Sequence, residues 1–251
     1  MNFAELESFL QSKGVETLAD IARYLQTSPQ AVSNWKSRDQ IPYHIAIEGT
    51  IGVGKTSLAK ILSERLDSRL VMEEFEQNPF LEDFYNDPKS FAFQTQIFFL
   101  LSRYKQQIGL QQIDLFAKNI IADYMFAKDR LFATLNLNDK ELDLYNTVAN
   151  ILEKNLSFPD MVIFLQSDTD RLIENIRKRG RVYEEKIDIS YLEALNQVYT
   201  EYFFKYDKSP LLIINTNDID FVNNSNDLEE IINFIRTPVQ GTKFFNPIKS
   251  L

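Results

Sequence analysis

From residue 43 onward, apolar residues follow two different periodicities that alternate along the chain. Five short segments are rich in apolar residues and have the length of a strand: residues 44–49, 69–75, 119–125, 160–166 and 210–216. Four longer segments carry apolar residues at helical spacing: residues 56–66, 90–108, 171–180 and 191–206. Strands that alternate with helices predict an α/β fold, in which a parallel sheet is flanked by helices on both faces.

The first 41 residues show a different pattern, typical of short helices without strands. We predict three helices, at residues 3–13, 17–25 and 28–38. Thr17 and Ser28 are suitable N-caps, and Pro29 suits the first helical position. The Ile41-Pro42 pair then requires extended chain. We therefore predict three parts: a small all-α segment at 1–41, an α/β domain at 43–236 and a tail at 237–251, which contains two prolines and a glycine.

Composition narrows the chemistry that is available. The chain of 251 residues has no cysteine and a single histidine, His44. This excludes disulfides, thiolate zinc sites, cysteine nucleophiles and histidine triads, so any reaction must use carboxylates, Lys, Arg, hydroxyls or a bound ion. We interpret His44, which lies beside the first strand, as structural. The lack of cysteine, of a signal-peptide pattern and of a membrane-length apolar segment leads us to expect a cytoplasmic protein without a membrane partner.

Residues 49–56 read GTIGVGKT and fit the phosphate-binding pattern G-x-x-x-x-G-K-[ST] between a strand and a helix. Backbone N–H groups and the helix N-terminus should bind the phosphates of ATP. We expect Lys55 to reach the β- and γ-phosphates and the Thr56 hydroxyl to ligate Mg²⁺. The predicted nucleotide contacts are Gly49, Thr50, Ile51, Gly52, Val53, Gly54, Lys55, Thr56 and Ser57. The motif alone does not choose among motors, GTPases and small-molecule kinases.

Polar residues downstream of this loop indicate a second ligand. Glu73 and Glu74 follow the second predicted strand, at the sheet edge where ligands bind in open α/β folds. One of these carboxylates is placed to accept a proton from an attacking hydroxyl. Gln96 and Arg103 lie seven residues apart, on one face of an otherwise apolar helix. A polar pair there either satisfies itself internally or contacts a polar ligand.

Together these residues resemble the deoxyribonucleoside kinase family, whose bacterial members phosphorylate deoxyadenosine, deoxyguanosine or deoxycytidine. The resemblance covers residues 43–236 and implies a P-loop kinase fold. It implies Glu74 as the general base for the 5′-hydroxyl, with Glu73 as the alternative. Residues expected to contact the deoxynucleoside are Tyr85 and Glu184 at the 3′-hydroxyl, and Gln96, Arg103 and Asp129 at the base. Phe91, Phe93 and Phe98 are candidates for a stacking wall.

The resemblance also assigns the parts that handle phosphate. Asp123 matches an acid expected near Mg²⁺, but Tyr124 stands where the family usually has arginine. A basic lid contributes catalytic Arg179 and Arg181, and Arg177 as a further nucleotide contact. The loop 215–222, with Asp220 and Phe221, is expected to hold the adenine of the donor.

Residues 19–42 resemble the helix-turn-helix of phage-repressor-type regulators. Ala22 falls at the small position of the first helix, and Val32 and Trp35 fall at core positions of the second, although Gln26 replaces the usual turn glycine. Residues 1–40 carry four bases against five acids, a net charge of −1, which predicts weak attraction to DNA phosphates. DNA is therefore a possible but not a favoured partner, and we expect these helices to dock on or stabilise the rest of the chain.

Two hypotheses follow from the sequence. The first is an ATP-dependent kinase, expected to be a homodimer, that prefers purine deoxynucleosides or deoxycytidine and forms the 5′-monophosphate. The second is a transcriptional regulator in which a kinase fold senses nucleotides and the N-terminal helices bind DNA. A base, a phosphate-loop lysine and a set of lid arginines favour the enzyme, because a sensor does not need them. A thymidylate-kinase type of enzyme is disfavoured by Tyr85, Gln96 and Arg103.

Overall fold

A computed structural model of the protein describes residues 3–24, 29, 32–33, 36, 43–113, 119–181, 184, 187–236 and 241–246. Within these residues the chain forms a six-stranded sheet with the strand order β2-β3-β1-β4-β5-β6, and every neighbouring pair is parallel. The strands are β1 (His44–Gly49), β2 (Arg69–Val71), β3 (Ile120–Ala122), β4 (Met161–Gln166), β5 (Leu211–Asn215) and β6 (Thr242–Phe245). The predicted parallel α/β fold is confirmed.

The helices lie mostly between the strands, as parallel connections require. Before the sheet come α1 (Phe3–Gln11) and α2 (Leu18–Tyr24). The helices of the α/β part are α3 (Lys55–Arg65), α4 (Leu81–Asn86), α5 (Pro88–Ile113), α6 (Lys128–Asn136), α7 (Asp139–Glu153), α8 (Thr169–Arg179), α9 (Ile189–Phe204) and α10 (Ser225–Arg236). No helix in the described part of the chain is both long and apolar enough to span a bilayer.

The two faces of the sheet bury two separate cores, because successive strand residues point to opposite sides. On β4, Ile163 and Leu165 belong to the core that α3, α8 and α10 cover. Val162 and Phe164 of the same strand belong to the core beneath α9, where Phe164 stacks on Phe203 with ring centroids 4.4 Å apart. A strand that is buried on both faces is apolar throughout, which is why the central strands could be predicted from the sequence.

The predicted tail is wrong for residues 242–245. Thr242–Phe245 form β6, which pairs with β5 and adds an edge strand to the sheet. Phe245 is buried and packs on Phe234 of α10, with ring centroids 5.0 Å apart. Prolines and a glycine nearby suggested irregular chain, yet only four residues are needed for an edge strand.

The end of β2 and several helices also differ from the prediction. β2 ends at Val71 rather than extending to residue 75, and a 3₁₀ turn begins at Phe75. Helices α4, α6, α7 and α10 were not predicted, although α7 has a clear start signal. The Asn138 side chain accepts hydrogen bonds at the helix start, and the Glu141 carboxylate accepts one from the Asn138 N–H, which forms a capping box.

The N-terminal helices have a small apolar core of their own. It consists of Phe3, Leu6, Leu10, Ile21, Ala22 and Val32. Thr17 caps α2 as predicted, since its hydroxyl accepts a hydrogen bond from the Asp20 N–H at 3.1 Å. Gln26, Ser28 and Trp35 lie outside the described residues, and so does most of the second helix of the predicted helix-turn-helix.

Candidate active site

A cavity of about 1090 Å³ opens at the carboxyl edge of the sheet. The carboxyl ends of parallel strands share one edge, so the segments that follow β1, β2, β3 and β5 converge there. Helices α4, α5, α6 and α8 supply most of the remaining walls. Of the residues predicted to contact ligands, most line this one cavity: Ile51–Ser57, Tyr85, Gln96, Arg103, Asp123, Asp129, Arg179, Arg181, Glu184, Asp220 and Phe221.

The phosphate loop has the backbone conformation that its glycines allow. Gly52 and Gly54 have φ of 86° and 103°, in the left-handed region that disfavours other residues. Gly49 and Thr50 do not line the cavity, contrary to the prediction. Gly49 is packed so tightly that a Cβ would lie 2.4 Å from the Leu165 carbonyl oxygen, and the Thr50 hydroxyl donates to Asn196 at 2.8 Å. These two residues shape the loop, and the residues after them face the cavity.

Lys55 begins α3 and points back into the phosphate loop. Its Nζ donates hydrogen bonds to the carbonyl oxygens of Gly49 at 2.8 Å and Thr50 at 3.1 Å. Burial, together with the nearby charge of Lys128, lowers the pKa of Lys55 to about 8. A desolvated ammonium group in this position is suited to bind an anionic phosphate, which would supply the missing counter-charge.

Thr56 and Asp123 meet at the floor of the cavity. The Thr56 hydroxyl donates to Asp123 Oδ2 at 2.7 Å, and Asp123 Oδ1 accepts the Glu73 N–H at 2.7 Å. Hydroxyl and carboxylate oxygens are the ligands that Mg²⁺ prefers. No cluster of three or more candidate ligand side chains occurs in the described part of the chain. The pair therefore fits an ion that takes its other ligands from phosphates and water, as Mg²⁺ does in phosphoryl-transfer sites.

Glu73, and not Glu74, faces the cavity. The Glu73 carboxylate forms ion pairs with Arg103 and Lys128. Burial raises the pKa of Glu73, but these two cations overcome that effect and hold the pKa well below its usual range. Glu74 is exposed and does not line the cavity, so the geometry contradicts its assignment as the base and supports the alternative, Glu73. Because β2 ends at Val71, the alternation of side chains along a strand does not extend to Glu73 and Glu74 and does not decide which of the two faces the cavity.

Gln96, Arg103 and Asp129 form a buried polar group on one wall. Each is less than 5% exposed, and Arg103 Nη1 donates to Asp129 Oδ1. The Arg103 guanidinium also lies over the Phe99 ring, 4.9 Å from its centroid. Within the described residues, Gln96 Oε1 and Asp129 Oδ2 have no hydrogen-bond partner. Buried polar atoms without a partner are costly, so a wall of this kind suits a polar ligand.

The apolar part of the wall differs from the prediction. Phe91, Phe93 and Phe98 were the expected stacking residues, but none of them lines the cavity. The aromatic rings that do line it, besides Tyr85, are Phe75, Phe84, Phe99, Phe132, Tyr191 and Phe221. The helix that carries Gln96 and Arg103 also presents Phe99, which lies three and four residues from them and hence on the same face.

The basic lid begins where α8 ends. Arg179 and Arg181 both pair with Glu184, and the Arg181 guanidinium lies 4.4 Å from the centroid of the Phe75 ring. Gly180 between them adopts a left-handed C-cap with φ of 66°. Arg177 is exposed and does not line the cavity, which contradicts its predicted nucleotide contact.

Arg171 and Lys178 line the cavity in its place. They lie seven residues apart on α8 and therefore share one face. Arg171 also donates to the carbonyl oxygens of Asn217 and, at 2.7 Å, Ile219, which ties α8 to the loop after β5. That seven-residue spacing is the signal by which the sequence could have identified them.

The loop after β5 lies against the phosphate loop. Phe221 is buried, and its ring is 3.1 Å from the position that a Cβ on Gly54 would occupy. The Asp220 N–H donates to Asp227 Oδ2 at 2.7 Å, which holds the loop to the start of α10. Asp220 and Phe221 thus border the same end of the cavity as the phosphate loop, and their contact with the adenine of the donor stays a prediction.

Comparison with known proteins decides between the classes of P-loop protein. The family model described as deoxynucleoside kinase matches residues 45–240. The chain belongs to the deoxynucleoside kinase family. The match begins after the N-terminal helices and extends beyond α10.

Individual members of the family are similar over most of their length. A deoxyguanosine kinase of Bacillus subtilis is 37% identical over 194 residues, which cover 74% of this chain and 93% of that protein. A deoxyadenosine kinase of Dictyostelium discoideum is 35% identical, with 82% of each chain covered. The structure of a deoxyadenosine kinase from M. mycoides with bound dATP superposes with a TM-score of 0.67, at 30% identity, over 78% of this chain and 100% of that chain.

One position departs from the family pattern that the sequence suggested. Tyr124, where an arginine was expected, is fully buried, and its hydroxyl has no partner within the described part of the chain. Burial raises the pKa of this hydroxyl, so the group is neutral. Lys128, which the sequence did not single out, supplies a positive charge to Glu73 instead.

Proposed function

We propose that the protein transfers the γ-phosphoryl group of ATP to the 5′-hydroxyl of a deoxynucleoside and releases ADP and the deoxynucleoside 5′-monophosphate. One observation carries the proposal. A single cavity contains a phosphate loop, a buried polar wall and the carboxylate-bearing residue Glu73. Glu73 pairs with Arg103 of the wall, and its N–H donates to Asp123, which also accepts from the Thr56 hydroxyl of the loop. A kinase needs these three features together, whereas a protein that only binds nucleotides needs the first.

Glu73 is the proposed general base. As the 5′-oxygen forms its bond to the γ-phosphorus, the hydroxyl proton passes to the Glu73 carboxylate, and the bond from phosphorus to the β–γ bridging oxygen breaks, so that ADP leaves with the electron pair. Lys55, Arg179 and Arg181 would stabilise the charge on the phosphoryl oxygens. Thr56 and Asp123 would hold Mg²⁺, which supplies further charge neutralisation when bound.

The polar wall is proposed to recognise the base. Gln96 offers a donor and an acceptor, Arg103 is a donor, and the Asp129 carboxylate is an acceptor. Such a set suits a purine deoxynucleoside or deoxycytidine, whose exocyclic amino groups can donate to Asp129, better than thymidine. The names of the similar enzymes, deoxyguanosine and deoxyadenosine kinase, support a purine. Tyr85 and Glu184 are the proposed contacts to the 3′-hydroxyl.

The regulator hypothesis is not favoured, because a sensor has no use for a base held beside a phosphate loop. For the N-terminal helices we propose a docking or stabilising role. Their second motif helix contributes few cations, and one of them, Lys36, already pairs with Glu7 at 2.7 Å. The homodimer remains our proposal for the oligomeric state.

The test is a phosphate-transfer assay with ATP and each of the four deoxynucleosides. We expect a purine deoxynucleoside or deoxycytidine to have the highest kcat/KM, and thymidine as the best substrate would overturn the assignment of the polar wall. Glu73→Gln should lower kcat by ~10²-fold or more with little change in nucleoside binding. Glu74→Gln is the matched control and should keep near-normal turnover. The reverse result would return the role of base to Glu74.

A further inference from the structure

Lys128 is a cation at the active site that the mechanism above does not use. It is the first residue of α6, its side chain is 9% exposed, and it lines the cavity. Its Nζ pairs with Glu73 Oε2, while Arg103 takes Oε1. Each oxygen of the proposed base therefore has a different cationic partner.

The two cations are not equivalent. Arg103 also donates to Asp129 and lies over Phe99, so its guanidinium is held by the wall that is proposed to read the base. Within the described residues, Lys128 has Glu73 as its carboxylate partner and packs near the Phe132 ring, 5.8 Å from its centroid. Lys128 is thus the cation whose position serves Glu73 rather than the polar wall.

The backbone around Lys128 fixes where its side chain begins. The Lys128 N–H donates to the Met125 carbonyl oxygen at 3.2 Å, and the Met125 N–H donates to Glu48 Oε1 at 2.7 Å. Glu48 lies on the central strand β1 and is fully buried. The turn that presents Lys128 is therefore anchored to the centre of the sheet, next to the phosphate loop.

The neighbouring Tyr124 supplies no charge that would replace that of Lys128. Its hydroxyl is buried, neutral and without a partner in the described part of the chain. With Arg103 committed to two carboxylates, removal of Lys128 would leave one arginine to balance both Glu73 and Asp129. Glu73 Oε2 would then lose the ion pair that fixes its position.

We propose that Lys128 is a positioning residue for Glu73: its ammonium group holds the carboxylate in the orientation that meets the 5′-hydroxyl. The inference rests on the proposed role of Glu73 as base. It assigns to Lys128 an effect on kcat, and no contact with the deoxynucleoside base.

The experiment compares kcat and KM of the parent protein, Lys128→Met and Lys128→Arg, measured with the best deoxynucleoside and saturating ATP. We expect kcat of Lys128→Met to fall by about 10- to 100-fold, a part of what a general base contributes, while KM for the deoxynucleoside changes little. Lys128→Arg keeps a cation beside Glu73 and should restore most of the kcat of the parent protein.

The matched control is Lys105→Met, which removes the same charge from an exposed position on α5. It should leave kcat and KM unchanged. If Lys128→Met does not fold, as judged by circular dichroism and thermal unfolding, Lys128→Gln provides the same test with a polar side chain. A loss of kcat that Lys128→Arg does not restore, or a loss that comes from a raised KM for the deoxynucleoside, would overturn the inference.

A double-mutant cycle separates this inference from the function on which it rests. If Lys128 acts through Glu73, adding Lys128→Met to Glu73→Gln should lower the residual kcat by less than twofold, because the group it positions is already gone. If Glu73→Gln alone keeps normal turnover, the proposed base is wrong. If Glu73→Gln is inactive but Lys128→Met has a normal kcat, the assignment of Glu73 as base stands and the inference about Lys128 is wrong.

Discussion

Asp129→Asn is the sharpest test of the proposed base recognition. The substitution keeps the size of the side chain and removes only its charge and one acceptor. Asp129 lines the cavity and is 2% exposed, its Oδ1 accepts from Arg103, and its Oδ2 is buried without a partner in the described part of the chain. If Oδ2 accepts a hydrogen bond from an amino group of the deoxynucleoside base, the amide nitrogen of asparagine that can take its place would be a second donor facing that amino group.

The size of the effect follows from the charge on Asp129. A hydrogen bond to a charged group contributes about 1.5–3 kcal/mol, and each ~1.4 kcal/mol is tenfold in kcat/KM. We therefore expect kcat/KM for the preferred deoxynucleoside to fall by about 10- to 150-fold. Thymidine has no exocyclic amino group, so its kcat/KM should fall much less, and the discrimination against it should narrow.

The assay is kcat/KM for all four deoxynucleosides with the parent protein, Asp129→Asn and the control Asp143→Asn. Asp143 is an exposed residue of α7, so its variant should match the parent. Equal losses for all four substrates would show that the change acts through the Arg103–Glu73 pair rather than through base recognition. No loss for any substrate would refute the assignment of Asp129 outright.

Two further predictions concern the phosphate loop and the N-terminal helices. Burial lowers the pKa of Lys55 to about 8, and only the protonated form attracts phosphate. The KM for ATP should therefore rise as pH increases through 8. Calorimetry in buffers of different ionisation heat should detect proton uptake on ATP binding near that pH. A KM for ATP that is constant from about pH 7 to 9.5 would contradict this reasoning. Deletion of residues 1–40 should lower stability or alter assembly and leave kcat intact, and gel shifts with DNA should detect no binding at low or physiological salt. A salt-sensitive complex that Lys36→Ala weakens would show that these helices bind DNA.

The parts of the site that could be predicted are those that local sequence encodes. The phosphate loop needs glycines in left-handed conformations next to a helix start, and these demands fall on consecutive residues. Gln96 and Arg103 were identifiable because two polar residues seven positions apart interrupt an apolar helix face. In both cases the physical constraint acts within one element, so spacing along the chain is sufficient to show it.

The parts that were missed depend on contacts between distant segments. Glu73 and Lys128 are 55 residues apart and meet only because the ends of β2 and β3 converge at one edge of the sheet. Glu73 and Glu74 have the same chemistry, and the choice between them depends on where β2 ends, which is the least predictable feature of a short strand. The edge strand β6 was missed for a related reason, since its pairing with β5 is not visible in its own four residues.

The contacts at the cavity floor form one connected series, and this has a consequence for every substitution there. Thr56 donates to Asp123, Asp123 accepts from the Glu73 N–H, and Glu73 pairs with Arg103, which pairs with Asp129. The proposed metal ligands, the general base Glu73 and the polar wall are therefore electrostatically coupled. Substitutions at residues in contact are not additive, so a loss measured at one position includes the response of its neighbours. Only double-mutant cycles along this series can assign the losses to metal binding, proton transfer or base recognition, and the cycle between positions 73 and 128 is the one for which the structure predicts the sign.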